Sequence, residues 1–243
     1  MKRRARNENG CQKLQFQIAV LRPALPVDPF TAIISGPSTP TTTNELTPHI
    51  NMDTTNEPTS SRLSGKTVAI LATDGFELSE LRSPKEALLA AGATIKLVSL
   101  KNGTIKGWSG GNWEGTETVD LIVDDANAED YDALLLPGGV INPDKLRMNP
   151  TAVAFARAFM DAKKPVAAIC HGPWLLAEAD VVRGCRMTSY GSIKTDLRNA
   201  GAEWVDEEVV VDHGLVTSRS PKDLPAFNRK LVEEVREGVH QCA

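Results

Sequence analysis

Three short runs in this chain are apolar almost end to end: Thr67–Ala72 (TVAILA), Ala133–Leu136 (ALLL) and Pro165–Ile169 (PVAAI). A strand with no polar face must be covered on both sides, as in a parallel sheet held between helix layers. Segments with helical spacing separate the runs. Leu81, Leu88 and Leu89 mark one over Leu78–Ala91, where Pro84 either starts the main helix or kinks it and Gly92 suits the C-terminal turn. Val153, Ala156 and Met160 mark another after the helix-start pair Asn149-Pro150. Leu224, Phe227, Leu231 and Val235 mark a third, capped by Ser220-Pro221 with Asp223. Strands are also expected at Thr94–Leu100 and Gly184–Ser189, with a short helix at Thr195–Ala200. Ile105–Val123 reads as a β excursion containing Trp108 and Trp113. Val209–Asp212 and Leu215–Ser218 flank Asp212-His213-Gly214, a hairpin signal. Alternating strands and helices make an α/β sandwich, three layers on a mainly parallel sheet.

This pattern occupies residues 65–243. Ser35–Ser64 is rich in Thr, Ser, Pro and Asn and lacks apolar periodicity. Such a stretch cannot bury enough surface to offset ordering entropy, so residues 1–64 read as a disordered or non-domain extension. The chain begins with the basic cluster MKRRAR, but the next apolar stretch, Phe16–Val27, is broken by Gln17, Arg22, Pro23 and Pro26, which argues against secretion. The extension is read as a solvated tail. A transit peptide, a nucleic-acid arm or a start upstream of the true one at Met52 are the alternatives. A net charge of −4 and 5% aromatic residues give no support to nucleic-acid binding. No run of apolar residues is long enough for a transmembrane helix, so no membrane partner is expected. The four cysteines, Cys11, Cys170, Cys185 and Cys242, are scattered without CxxC spacing. That argues against a disulfide framework or zinc site and fits a reducing, cytoplasmic setting. Cys185 reads as buried, and Cys11 and Cys242 as exposed.

Parallel sheets place their sites at the carboxyl ends of the strands. Three such ends carry unusual residues: Asp74–Glu77, Pro137–Asp144 and Cys170-His171. In PVAAICHGPWLL (Pro165–Leu176) a strand runs straight into a helix with Pro173 in its first turn. The residue at such a bend is pushed out of the sheet and faces backbone N–H groups. Here it is Cys170, at a helix N-terminus whose dipole favours the thiolate. His171 is either a general acid–base or only a backbone donor, since adjacent residues at a bend diverge. Gly138-Gly139 faces the elbow and suits an oxyanion site, because glycine lets a substrate approach the backbone. Trp174 and Tyr190 are candidate pocket walls. Asp144 is otherwise a solvated loop acid, and His213 a hairpin-turn residue. No His, His49 and His240 included, forms a ligand set with a Cys, so neither metal nor other cofactor is assigned.

Three separated segments, DGFELSE (Asp74–Glu80), LLLPGG (Leu134–Gly139) and AICHGPWLL (Ala168–Leu176), resemble the PfpI-type intracellular protease family. That family lies in the superfamily of the parkinsonism-associated deglycase, and the likeness runs from about Lys66 to Glu234. It implies a flavodoxin-like sheet with a cysteine elbow. Cys170 would be the nucleophile and Glu77 the carboxylic acid reaching its sulfur. His171 would complete a dyad, and the Gly139 and His171 N–H groups would form the oxyanion hole. Physically, two anions in a dry pocket cannot coexist cheaply, so Glu77 and Cys170 are expected to share a proton. The likeness also implies a further acid borrowed from a neighbouring subunit, for which Asp144 is the candidate, and hence a homodimer or larger homo-oligomer.

The expected function is a stress enzyme attacking reactive carbonyls such as methylglyoxal, of glyoxalase or deglycase type. A cysteine peptidase acting on peptides and a redox-sensing or chaperone-like protein are the alternatives. A class I amidotransferase is set aside. Ala168 stands where that class has Gly, and neither His213 nor His240 supplies a His-x-Glu.

Overall fold

The computed structural model describes residues 62–240. Nearly all of the expected extension, with Cys11, His49 and Met52, lies outside the described residues, as does Cys242. Leu63, assigned above to the extension, is fully buried, and its N–H donates to Ala91 O at 2.8 Å. The folded unit therefore includes residues before Gly65.

In chain order the first elements are β1 (Thr67–Leu71), β2 (Phe76–Glu77), α1 (Leu78–Ala90) and β3 (Thr94–Ser99). Then come β4 (Thr104–Ser109), β5 (Asn112–Thr118), β6 (Leu121–Ile122) and β7 (Ala133–Leu136). They are followed by α2 (Ile141–Arg147), α3 (Pro150–Asp161), β8 (Val166–Ile169) and α4 (Pro173–Glu178). The chain continues through β9 (Arg186–Met187), α5 (Lys194–Asn199) and β10 (Glu203–Trp204). It ends with the hairpin β11 (Val209–Asp212) and β12 (Leu215–Ser218), then α6 (Leu224–Glu237).

The main sheet has the order β11-β12-β8-β7-β1-β3-β6 and is parallel except for the β11–β12 hairpin. From β1 the chain moves to β3 and β6 on one side, then returns across β1 to β7 and β8 on the other. The carboxyl ends of β1 and β7 thus flank a switch point, where open α/β sheets hold their ligands. The apolar runs split by pleat. Ala69, Leu71, Leu134 and Leu136 pack with Phe155 and Phe159 of α3. Val68, Ile70, Ala133 and Leu135 pack with Leu81 and Leu88 of α1 and Phe227 and Leu231 of α6. Both faces are covered, as the unbroken apolarity of these strands demands.

Several local expectations change. Pro84 lies inside α1 without ending it. The N–H it lacks would have gone to the carbonyl of Glu80. The β excursion is a β4–β5 hairpin paired with β2 in a separate three-stranded sheet, while β6 joins the main one. Of Gly184–Ser189 only β9 is strand, paired with β10 outside the main sheet. Around it side chains replace the ladder: Arg186 N–H donates to Asp212 Oδ2 at 2.7 Å and Thr188 N–H to Thr217 Oγ1 at 2.9 Å. Asp223 does not cap α6, because its carboxylate takes the Arg219 guanidinium at 2.9 and 3.1 Å. Asn149 does cap α3, accepting the Ala152 N–H at 2.9 Å.

Phe227 is fully buried between α6 and the sheet. Phe227→Ala is expected to lower the stability of the folded unit by about 3–5 kcal/mol in urea melts, and a loss under about 1 kcal/mol would contradict this packing.

Candidate active site

Cys170 sits directly after β8 with φ +62°, left-handed backbone in a residue that carries a Cβ. Three hydrogen bonds hold it there. Cys170 N–H donates to Ser218 O at 3.0 Å, extending the β8–β12 ladder. Its carbonyl accepts from Tyr190 N–H at 2.9 Å, and Gly172 N–H donates to Ile169 O at 2.9 Å. Strain of this kind survives only where the surroundings over-determine it. The result is a sharp strand–helix elbow with Cys170 at its apex.

The carboxyl beside the sulfur belongs to Glu80 and not to Glu77. Glu80 is fully buried; its Oε2 accepts the Gly138 N–H at 3.0 Å, and its carboxyl interacts with the Cys170 thiol. Oε1 is buried without a full hydrogen bond. Glu77 ends β2 just before α1 and accepts a hydrogen bond from Ser79 Oγ at 3.2 Å. It stands at the cleft wall, one step removed from the sulfur. The pattern held the signal: Glu80, Pro84 and Leu88 are all buried at four-residue spacing on α1. A carboxyl on an apolar stripe is a buried carboxyl.

Burial and the neighbouring Glu77 charge push the Glu80 carboxyl up to about 8. At neutral pH it is protonated. Burial, followed by the Glu80 charge, pushes the Cys170 thiol well above its usual range. The sequence expectation of a dipole-favoured thiolate fails here because α4 has only six residues and the sulfur is buried. The Gly139 and His171 N–H groups both face that sulfur and favour negative charge on it.

His171 is buried, which lowers its basicity, so its ring is neutral at pH 7. Nε2 lies 3.0 Å from Ser192 Oγ and Nδ1 3.2 Å from Cys170 Sγ. With the Nε2 hydrogen given to Ser192, Nδ1 is an acceptor for the thiol proton. The ring stacks on Tyr190 at 4.9 Å and 26° and meets the edge of Trp174 at 5.3 Å. Ser192 was not singled out by sequence, since a lone Ser after Tyr190-Gly191 carries no pattern.

Gly138 and Gly139 have different tasks. The Gly138 N–H is taken by Glu80, and a Cβ there would lie 2.5 Å from Glu80 Oε2 and 2.6 Å from Cys170 Cβ. Gly139 has φ +79° and presents its N–H to the sulfur. Trp174 is a support more than a wall. Its Nε1–H donates to Asp196 Oδ2 at 2.8 Å, and Arg147 lies over its ring at 4.7 Å. Asp144 lies on α2, a helix where the sequence suggested a loop. Its carboxylate is 52% exposed and pairs with Arg147 at 3.4 Å, while the His171 ring gives its Nε2 hydrogen to Ser192. Asn142, also unforeseen, is fully buried. It accepts the Thr73 N–H at 2.7 Å and donates to Pro137 O at 2.9 Å and Gly138 O at 3.2 Å, stapling the ends of β1 and β7. Asp74 holds Lys101 at 2.6 Å and the Lys106 N–H at 2.8 Å, outside the chemistry.

Together these groups line a cleft of about 600 Å³ whose walls include Glu77, Trp108, Ile141, Tyr190 and Pro221. A groove of about 460 Å³ between α1 and α6 contains no Cys, His or Ser. Among the described residues, no helix is long and apolar enough to cross a membrane. Cys185 is half-buried, and its Sγ donates to Val181 O at 3.6 Å.

Residues 66–234 match the model of the DJ-1/PfpI family. This chain belongs to the DJ-1/PfpI family. It is 48% identical over 169 residues to the protein/nucleic acid deglycase 2 of Escherichia coli K12, covering 69% of this chain and 96% of that one. It is 47% identical over 165 residues to the putative cysteine protease YraA of Bacillus subtilis 168, covering 68% and 95%. Its fold is similar to a two-domain protein of Anabaena variabilis with DJ-1/ThiJ/PfpI-like and ferritin-like domains, at TM-score 0.66 and 38% identity. That match covers 70% of this chain and 48% of the longer one. The likeness read from three motifs is thus a family relationship, and the flavodoxin-like sheet with its cysteine elbow is the DJ-1/PfpI fold.

Because folding raises the Glu80 pKa from near 4.5 to about 8, the native state holds a proton that the unfolded chain releases in between. Stability should therefore fall as pH rises across that window. Glu80→Gln should flatten the fall, by up to a few kcal/mol, in chemical melts from pH 5 to 8. Parallel wild-type and variant curves would refute a neutral buried Glu80.

Proposed function

We propose that this chain is a cysteine-dependent enzyme of reactive carbonyls, of the glyoxalase or deglycase type, acting on small dicarbonyls such as methylglyoxal or their adducts. The observation that carries the reading is a strained Cys170 with a neutral proton acceptor 3.2 Å from its sulfur and a protonated buried acid at its side. The name of the Escherichia coli relative supports it.

In this reading Cys170 Sγ bonds to the aldehyde carbon as the C=O π bond opens and the thiol proton passes to His171 Nδ1. The Gly139 and His171 N–H groups receive the developing oxyanion. A hemithioacetal results. Protonated Glu80 gives its proton to oxygen, and the carboxylate so formed removes the C1 hydrogen. Glu80 returns that proton to C2, leaving a thioester; water then adds to its carbonyl and restores the Glu80 proton, and the C–S bond breaks as His171 gives its proton back to sulfur, releasing lactic acid and the free thiol. Methylglyoxal plus water balances lactic acid, with no external oxidant. Glu80, placed beside the sulfur, takes the place that the sequence reading gave to Glu77 as the acid sharing a proton with Cys170. Glu77 and Tyr190 are left as cleft walls.

A second reading is a cysteine peptidase working through an acyl-enzyme at Cys170, supported by the name of the Bacillus subtilis relative and by the Cys170–His171 contact. The proposal includes a cytoplasmic setting, supported by the scattered cysteines, and a homodimer or larger homo-oligomer, for which exposed Asp144 is the candidate contact acid.

Lactate formation from methylglyoxal should vanish in Cys170→Ser and fall roughly 10²–10⁴-fold in Glu80→Gln, with Glu77→Gln close to wild type. Lactate production surviving Cys170→Ser would end the proposal. Cleavage of fluorogenic peptides that requires Cys170, without lactate, would install the peptidase. Ser192→Ala should lower kcat by up to roughly tenfold with KM little changed, the worth of one hydrogen bond that fixes the His171 tautomer. An unaltered kcat and pH profile would show that Ser192 does not position the ring.

A further inference from the structure

A second convergence of ligating groups lies at the opposite, amino-terminal end of the sheet. Glu234 and Glu237 stand three residues apart at the end of α6, on one side of the helix. Gly238, at φ +78°, ends the helix and turns the chain. His240 is then fixed by its N–H to Lys163 O at 3.1 Å and by its ring packed against Gly214, where a Cβ would lie 2.5 Å from Cδ2. Lys163 and Gly214 immediately precede β8 and β12, whose far ends carry Cys170 and Ser218.

One ligand atom from each of Glu234, Glu237 and His240 lies within 4.8 Å of the others. Glu234 is 5% exposed. Its Oε2 and His240 Nε2 are both buried and 2.8 Å apart, an ion pair when the imidazole is protonated, yet the contact lacks hydrogen-bond geometry and neither atom makes a hydrogen bond elsewhere. With a neutral imidazole whose Nε2 carries no hydrogen, two electron-pair donors aimed at one place are costly in a protein interior. A shared cation would satisfy both. Lys230, on the same helix, is paired with Glu233 at 2.8 Å.

We propose that Glu234, Glu237 and His240 form a binding site for a divalent transition-metal cation of the zinc type, with water completing the coordination. One imidazole nitrogen and two carboxylates match that class, and the imidazole disfavours calcium and magnesium. Two carboxylates neutralise the dication. No such set is visible in the sequence, because only the turn at Gly238 brings His240 back to the helix.

The test uses the full chain, stripped with chelator, in a Cys170→Ser background that removes the active-site thiol. Zn²⁺ alone is titrated by calorimetry and equilibrium dialysis, and Co²⁺ by electronic absorption. The expected result is one saturable equivalent, a thermal midpoint raised by Zn²⁺, and a cobalt spectrum without a thiolate charge-transfer band. Glu237→Gln, at an exposed position that folding does not need, and His240→Asn should each weaken binding by more than roughly tenfold. Glu237→Gln should also lose the thermal shift. No saturable binding, affinity unchanged in both variants, or a sulfur-to-metal charge-transfer band would overturn the proposal.

Discussion

A carboxyl group with no exposure to water can persist only if it is neutral or tightly hydrogen-bonded, and Glu80 is held under both conditions. Its Oε2 takes the Gly138 N–H, which ties α1 to the end of β7, and its carboxyl lies against the sulfur at the end of β8. The absence of a Cβ at Gly138 is what lets carboxyl, backbone and sulfur meet. Asn142 performs a matching service between β1 and β7. The ends of three adjacent central strands are thereby locked together by two buried polar side chains. The cost of burying each group is repaid only while all of its partners are in place.

This arrangement stores protons. Burial raises Glu80 and Cys170 together and lowers His171. Near neutrality the acid and the thiol are protonated and the imidazole is free to accept. Activation then consists of moving one proton from sulfur to Nδ1 when an electrophile arrives, with the Gly139 and His171 N–H groups already facing the place where charge develops. Such a site resists adventitious reaction, since a thiol is a weaker nucleophile than a thiolate. The left-handed backbone of Cys170 is the price of aiming the sulfur at these partners, and the β8–β12 ladder bears it.

Much of this was legible in the linear chain. Unbroken apolar runs require two covered faces, so TVAILA, ALLL and VAAI led directly to a parallel sheet and two helix layers. The hairpin at His213-Gly214 and the Asn149 cap follow from local turn and capping chemistry, which neighbouring residues decide. Less was legible where a distant partner competes with a local preference. Asp223 gave up its capping role to Arg219, and the backbone around β9 bonded to Asp212 and Thr217 side chains in place of a full ladder. Helix α2 was missed because Asn142-Pro143 looks like a turn until Asn142 is buried against two strand ends.

The sequence by itself determined the layer order, the strand–helix elbow and the identity of its cysteine, because periodicity and short-range backbone geometry are properties of consecutive residues. Tertiary structure alone decided which acid faces the sulfur, which hydroxyl holds the histidine and which N–H is left for a substrate. Glu77 and Glu80 are three residues apart in the same motif and chemically alike. Only the packing of α1 against β7 and the elbow dehydrates one of them and leaves the other at the cleft wall, and that dehydration sets the proton on Glu80.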